Sequence, residues 1–297
     1  MPIKKYQLKE IKTLNAHKSG VTTISLNENR NILVSGSNDG TVILWNMKDY
    51  SYKTIHKIDE EITSISFNSK GDFIAIGGKN KKITIYDYDF SILKEINVEA
   101  NVSSLKFNSD DSLLIYTLDN GNIYFYDFNQ LKILKELKLN LFYPNSMIFN
   151  DKKDILFVSG YTNKVILINL KTLDIIKEIR LTLNESITSI SYLNDEKILV
   201  ATDLGSIFIL NISSETQENI EVLRGSNITI SSYQNYLLTG GDFTESKLKI
   251  FDIKTKNILI NQYVHNSDIN SIIIYNNGKN IITSSTDNTI KIFNLSF

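Results

Sequence analysis

One phrase returns seven times along this chain, at intervals of 40 to 42 residues. It reads Val42-Ile43-Leu44-Trp45-Asn46, then Ile83-Thr84-Ile85-Tyr86-Asp87, then Ile123-Tyr124-Phe125-Tyr126-Asp127. It comes back as Val165-Ile166-Leu167-Ile168-Asn169, Ile207-Phe208-Ile209-Leu210-Asn211, Leu248-Lys249-Ile250-Phe251-Asp252 and Ile290-Lys291-Ile292-Phe293-Asn294. Each copy sets one large apolar residue directly before an Asp or Asn. A period this regular restricts the chain to a repeat architecture, in which each unit buries its apolar surface against the next.

The units share an internal order. A first apolar run carries small hydroxyl residues, as in Val21-Thr22-Thr23-Ile24, Ile62-Thr63-Ser64-Ile65 and Ile187-Thr188-Ser189-Ile190. A polar turn follows, such as Asn68-Ser69-Lys70-Gly71-Asp72, rich in residues that tolerate positive φ. A second apolar run comes next, then the anchor phrase, then a more polar run such as Ile92-Leu93-Lys94-Glu95-Ile96. Short β-rich runs between turn signals indicate strands, and no helical period is evident. Four strands in each of seven units predict an all-β fold, a seven-bladed β-propeller of four-stranded antiparallel blades. Seven units fill the 297 residues, so a single domain is expected over 1–297, with blades opening at about 20, 61, 101, 143, 186, 227 and 268. The chain stops after the third strand of unit 7, and residues 5–14 before unit 1 read like an outer strand. That segment is expected to complete blade 7 and close the ring.

Unit 1 resembles the WD40-repeat family most closely, through Ala16-His17 before its first strand, Ser35 on the second, Asp39 in the next turn and Trp45-Asn46 on the third. The likeness covers essentially residues 6–297. It implies a hydrogen-bonded structural tetrad of His17, Ser35, Asp39 and Trp45. Unit 7 keeps His265, Thr283 and Asp287 but has Phe293, which offers no N–H. The other units lack most of the set, so the chain reads as a degenerate member.

Chemistry is sparse. There is no cysteine, which excludes disulfides, zinc–thiolate sites and thiol nucleophiles. Of three histidines, His17 and His265 stand in equivalent registers, as structural residues do, and His56 falls on an outer strand and reads as a surface residue; no metal site and no cofactor is expected. The Asp or Asn after each anchor might look like a ring of acids, but its recurrence in all seven units is what a structural repeat requires and not what one active site requires. No phosphate-binding glycine loop, nucleophile elbow or zincin motif occurs. A non-enzyme is therefore expected. A net charge of −1 with only three arginines argues against nucleic acid as the main partner. No apolar run is long enough to insert in a membrane. No apolar leader is visible, so a cytoplasmic, monomeric protein is expected, the periplasm remaining open.

The loops leading into the first strands share a face with the turns joining second and third strands, and the resemblance implies that proteins or peptides bind there. Apolar residues in such loops mark binding anchors. Unit 4 places Phe142 and Tyr143 in its lead-in loop and Tyr161 in its second turn; unit 6 has Arg224 and an enlarged turn with Phe243. Glu185 and Asp203 fall between them. These seven residues form the candidate protein-binding face of a non-catalytic scaffold or adaptor within a larger complex. The alternatives are an enzyme or small-ligand binder using the central channel, and a nucleic-acid-associated module.

Overall fold

The computed structural model describes residues 6–222, 228–241 and 246–296. Seven four-stranded antiparallel sheets follow one another along the chain, the first six taking their strands from inner to outer in sequence order. Blade 1 runs Val21–Asn27, Ile32–Ser37, Thr41–Asn46, Tyr52–Lys57. The inner strands of the next blades open at Ile62, Val102, Ser146, Ile187, Thr229 and Ile269. The later start in blade 4 leaves residues 142–145 in an extended lead-in loop.

Blade 7 is the exception in chain order. Its inner three strands are Ile269–Tyr275, Asn280–Ser285 and Thr289–Ser296, and its outer strand is Gln7–Asn15. The register runs from Gln7 opposite Ser296 to Asn15 opposite Thr289, with one irregularity near Glu10 and Lys12. The apolar residues of this outer strand face opposite neighbours. Leu8 packs with Leu238, Leu248 and Phe293, toward blade 6. Leu14 packs with Val21, Trp45 and Ile290, toward blade 1. One strand therefore anchors two blade interfaces.

The third strands are apolar at almost every position because neighbouring blades cover both faces. The core is a ring of seven clusters, each drawn from adjacent blades, as where Ala75, Ile83 and Ile85 meet Val102 and Leu105. Second strands supply the clearance. A Cβ built on Gly36 would lie 2.4 Å from Cγ2 of Ile62, and one on Gly77 would lie 2.5 Å from Cγ1 of Val102. Glycine is needed there because the leading residue of the next blade sits on its backbone.

Hydroxyls on the inner strands tie blade to blade. Thr22 donates to the Ile62 carbonyl at 2.5 Å, Thr63 to Val102 at 2.6 Å and Thr188 to Ile228 at 2.7 Å. Asn270 Nδ2 closes the circle on the Val21 carbonyl at 2.9 Å. In blade 3 the second-strand Thr117 takes the part, donating to the Pro144 carbonyl at 2.5 Å. Several of the repeated Ser and Thr near the axis thus serve blade-to-blade bonding.

Candidate functional site

In blade 1 a chain of donors crosses the sheet. Trp45 Nε1 donates to Ser35 Oγ at 2.8 Å, and Ser35 Oγ lies 2.7 Å from His17 Nε2. His17 Nδ1 is 2.9 Å from Thr41 Oγ1, whose hydroxyl donates to Asp39 Oδ1 at 2.5 Å. Asp39 also accepts the N–H groups of Lys18 and Thr41. Because Thr41 spends its proton on a carboxylate, it must accept from Nδ1–H. His17 Nε2 is then the acceptor for Ser35. The geometry assigns a neutral imidazole protonated on Nδ1. Burial lowers the His17 pKa from its ordinary value, against the opposing pull of Asp39. Burial works against the Asp39 carboxylate too, but the Thr41 hydroxyl, two backbone N–H groups and His17 outweigh it and hold the carboxyl low. Thr41 is a member that the four-residue pattern omits; the direct His17–Asp39 approach is 3.5 Å.

Blade 7 carries a shorter version. His265 Nε2 lies 2.8 Å from Thr283 Oγ1, and Nδ1 lies 2.9 Å from Asp287 Oδ2, a direct contact. Thr289 donates to the other carboxylate oxygen at 2.6 Å. The register sets Phe293 opposite Ile281, as Trp45 is opposite Leu33, so no N–H heads this chain. Burial again opposes the carboxylate, but His265, Thr289 and the Asn266 N–H hold Asp287 far below the usual range. His56 corrects the sequence expectation of a surface residue. It is half-buried, with Nδ1 2.6 Å from the Tyr86 hydroxyl of blade 2, because outer strands lean onto the neighbouring blade. Burial lowers its pKa as well. All three histidines are therefore engaged inside the fold. Among the described residues no group of three or more His, Asp or Glu could hold a metal ion.

The lead-in face surrounds one end of the central channel. The mouth encloses 560 Å³ and is lined by Glu61, Lys79, Asp119, Tyr143, Tyr161 and Asp268 among others. Phe142 and Tyr143 form an edge-to-face pair with centroids 4.8 Å apart. The Tyr161 N–H donates to the Phe142 carbonyl at 2.7 Å, which fastens the 142–145 loop to the second turn of the same blade. Phe142 is 62% exposed, Tyr143 41% and Tyr161 37%. Leu204, 65% exposed in the corresponding turn of blade 5, belongs to the same sector. Its signal in the sequence was a leucine inside an Asp-Leu-Gly turn.

Glu185 and Asp203 are placed differently from free anchors. The Glu185 carboxylate accepts the Thr202 hydroxyl at 2.5 Å and the Ser206 hydroxyl at 3.1 Å. Asp203 accepts the Ser186 N–H at 2.9 Å. Both brace the loops of blade 5. Arg224 and Phe243 lie outside the described residues.

The same face is acidic. The lead-in loops and second turns of blades 1 to 5 hold Asp39, Asp59, Glu60, Glu61, Glu99, Asp119, Glu185 and Asp203, against Lys18, Lys79 and Lys81. Lys79 is paired with Glu61 at 2.7 Å. That hydrogen bond raises its pKa above the ordinary lysine value, and Tyr143 and Asp119 add to the effect across the mouth.

Seven radial four-stranded sheets around a channel, closed by a strand from far along the sequence, define the class: a seven-bladed β-propeller. Comparison with known families agrees with the repeat pattern. The family described as WD domain, G-beta repeat, matches residues 8–46 and 257–294, and the Anaphase-promoting complex subunit 4 WD40 domain matches residues 65–141. The chain is a WD40-repeat protein. It is 30% identical to THO complex subunit 3 of Arabidopsis thaliana over 117 residues, 39% of this chain and 37% of that protein. It is 28% identical to a guanine nucleotide-binding protein subunit beta of Zea mays over 139 residues, 43% of this chain and 36% of the relative. Over 279 residues, 89% of this chain but 22% of the relative, it is 19% identical to apoptotic protease-activating factor 1 of Rattus norvegicus. The chain thus spans about a third of the length of the first two relatives. Among the described residues no helix is long and apolar enough to cross a membrane.

Proposed function

We propose that this propeller is a non-catalytic scaffold or adaptor, a single domain over 1–297 that works in the cytoplasm and holds a protein or peptide partner on its lead-in face. The observation that carries the reading is the sector of Phe142, Tyr143, Tyr161 and Leu204, exposed beside the channel mouth. Aromatic side chains in that setting lose little conformational entropy on binding and bury a large area. The acidic loops around them favour a partner that presents an apolar residue flanked by Lys or Arg, and they disfavour nucleic acid. Engagement of every histidine inside the fold leaves no free imidazole for general acid–base work. The relatives named for complexes and subunits are in keeping with an adaptor role. Arg224 and Phe243, which belong to the same expectation, lie outside the described residues, and the proposed face does not rest on them.

The test is affinity capture from the native host, followed by titration of the purified partner against wild type and the double variant Phe142→Ser/Tyr143→Ser. Binding is expected to weaken by about a hundredfold, as for loss of two anchor residues, with the unfolding midpoint within a few degrees of wild type. Full affinity in the double variant would move the site to the blade edges or the opposite face.

A further inference from the structure

The channel holds one group that neither the hydrogen-bonded chains nor the lead-in face uses. Lys106 stands on the inner strand of blade 3, Val102–Phe107. The end of the channel remote from Tyr143 has two recesses. One encloses 300 Å³ and is lined from blades 1, 2, 3 and 7 by Ser25, Ser66 and Ile273 among others. The second encloses 630 Å³ and is lined from blades 3 to 6, with Ser191 and Ser232. Lys106 is the residue common to both, so its side chain stands in the lumen between them.

Among the described residues no carboxylate forms an ion pair with it. Glu28 lines the first recess, and its carboxylate is turned to the Asn276 N–H of blade 7 at 3.0 Å. Asp151 lines the second together with Lys153. Neither forms an ion pair with Lys106. Burial alone pushes the lysine pKa down, with no partner charge to restore it. Lys106 is half-buried, and its ammonium makes no ion pair that would repay its partial desolvation. The neighbouring side chains are neutral. Ser66 donates to the Phe67 carbonyl, and Ser232 donates to Tyr192. Ser25 accepts the Phe67 N–H at 3.3 Å and keeps its own proton to give.

We propose that Lys106 anchors an anion site inside the channel, which takes a small phosphate-sized oxyanion entering from the face opposite the lead-in loops. The ammonium supplies charge and up to three donors; the Ser25 hydroxyl supplies another from across the recess. The narrow lumen screens this attraction less than an open surface would.

The experiment titrates inorganic phosphate into the full-length protein by calorimetry at constant ionic strength, alongside a chloride control. The same titration is followed by NMR of lysine labelled at Cε. Saturable binding of one phosphate is expected, with the Lys106 resonance moving in step. Lys106→Met should lose about tenfold or more in affinity, the usual scale for a charged hydrogen bond. It should also melt no lower than wild type in the absence of anion, because it removes a half-buried charge that makes no ion pair. Lys106→Arg should keep binding, and Lys153→Met at the rim should leave it unchanged. Acetate and sulfate in place of phosphate distinguish a carboxylate from a tetrahedral oxyanion as the preferred class. Absence of saturable binding by wild type at millimolar phosphate would overturn the proposal. So would equal affinity in Lys106→Met, or loss of binding in Lys153→Met alone.

Discussion

Ser35 is the node of the blade 1 chain, and its removal gives the sharpest test of that chain. Its hydroxyl accepts from Trp45 at 2.8 Å and serves His17 at 2.7 Å, and all three side chains are buried. Ser35→Ala orphans two polar groups at once, the indole N–H and His17 Nε2. Each orphan costs roughly 1–3 kcal/mol, so a loss of about 2–6 kcal/mol is predicted. Trp45→Phe alone removes a donor but leaves Ser35 bonded to His17, and should cost about 1–2 kcal/mol including the smaller ring. The informative case is the double variant. In the Ser35→Ala background the indole N–H is already unsatisfied, so removing it relieves a penalty. Trp45→Phe should then cost at least about 1 kcal/mol less than it does alone, and a net gain is allowed. Urea unfolding followed by far-UV circular dichroism is the assay, because Trp45 is the only tryptophan and its fluorescence disappears in the variant. Additivity within about 0.5 kcal/mol would refute a shared chain.

Three further outcomes follow from the same structure. Deleting residues 1–14 should lower the melting temperature by well over 10 °C or cause aggregation, since it strips Leu8 and Leu14 from two interfaces and bares the ladder of Thr289–Ser296; a truncated protein that melts like the full chain would disprove the closure. Gly77→Ala should destabilise by about 1–3 kcal/mol, because the new methyl meets Val102 at 2.5 Å and Leu105 at 2.9 Å; an unchanged urea midpoint would show that blade 3 shifts freely. Stability should rise with pH across the acid range. His17 is held below its ordinary value of 6.5, so the unfolded chain takes its proton more readily and stability falls as pH drops below that value. Asp39 and Asp287, held below 3.8, contribute stability that is present above that value and lost as pH falls through their depressed pKa values. Melting curves between about pH 7 and pH 3 should show a steady decline in both ranges, and a rise in melting temperature on acidification would contradict the assignment.

The period of the chain made the fold legible. Strand order, blade number and the role of Gln7–Asn15 follow from where large apolar residues recur and where the last unit stops. Other features depend on facts that a linear pattern does not carry. Whether an inner-strand residue meets a neighbouring blade or the lumen depends on sheet twist, and so Lys106 looked like any polar residue between Leu105 and Phe107. His56 appeared exposed because an outer strand reads as an edge, yet Tyr86 of the following blade covers it. Thr41 entered the hydrogen-bonded chain through a turn geometry that places its hydroxyl between imidazole and carboxylate. Glu185 stood out as a loop charge, but it is held by two hydroxyls of its own blade. In Phe142 and Tyr143, by contrast, an apolar pair in a lead-in loop was visible directly, because such loops are otherwise polar.

The pairing of the outer strand of blade 7 also sets a timetable for synthesis. Glu10 and Lys291 form an ion pair at 3.2 Å across 281 positions of sequence. At ribosomal rates of ~5–20 residues per second, the strand Gln7–Asn15 waits on the order of 15–60 s for its partner to be made. During that interval the strand has no ladder to pair with, and its Leu8 and Leu14 lack the blade 7 half of their clusters, Phe293 and Ile290, while blades 1 to 6 can each form from contiguous sequence. The nascent chain is therefore an open arc carrying a free strand, and a neighbouring chain whose Thr289–Ser296 is already made offers that strand an equivalent ladder. Exchange between neighbours on one messenger is the failure this topology invites, and chaperone occupancy of the first fifteen residues is what would suppress it.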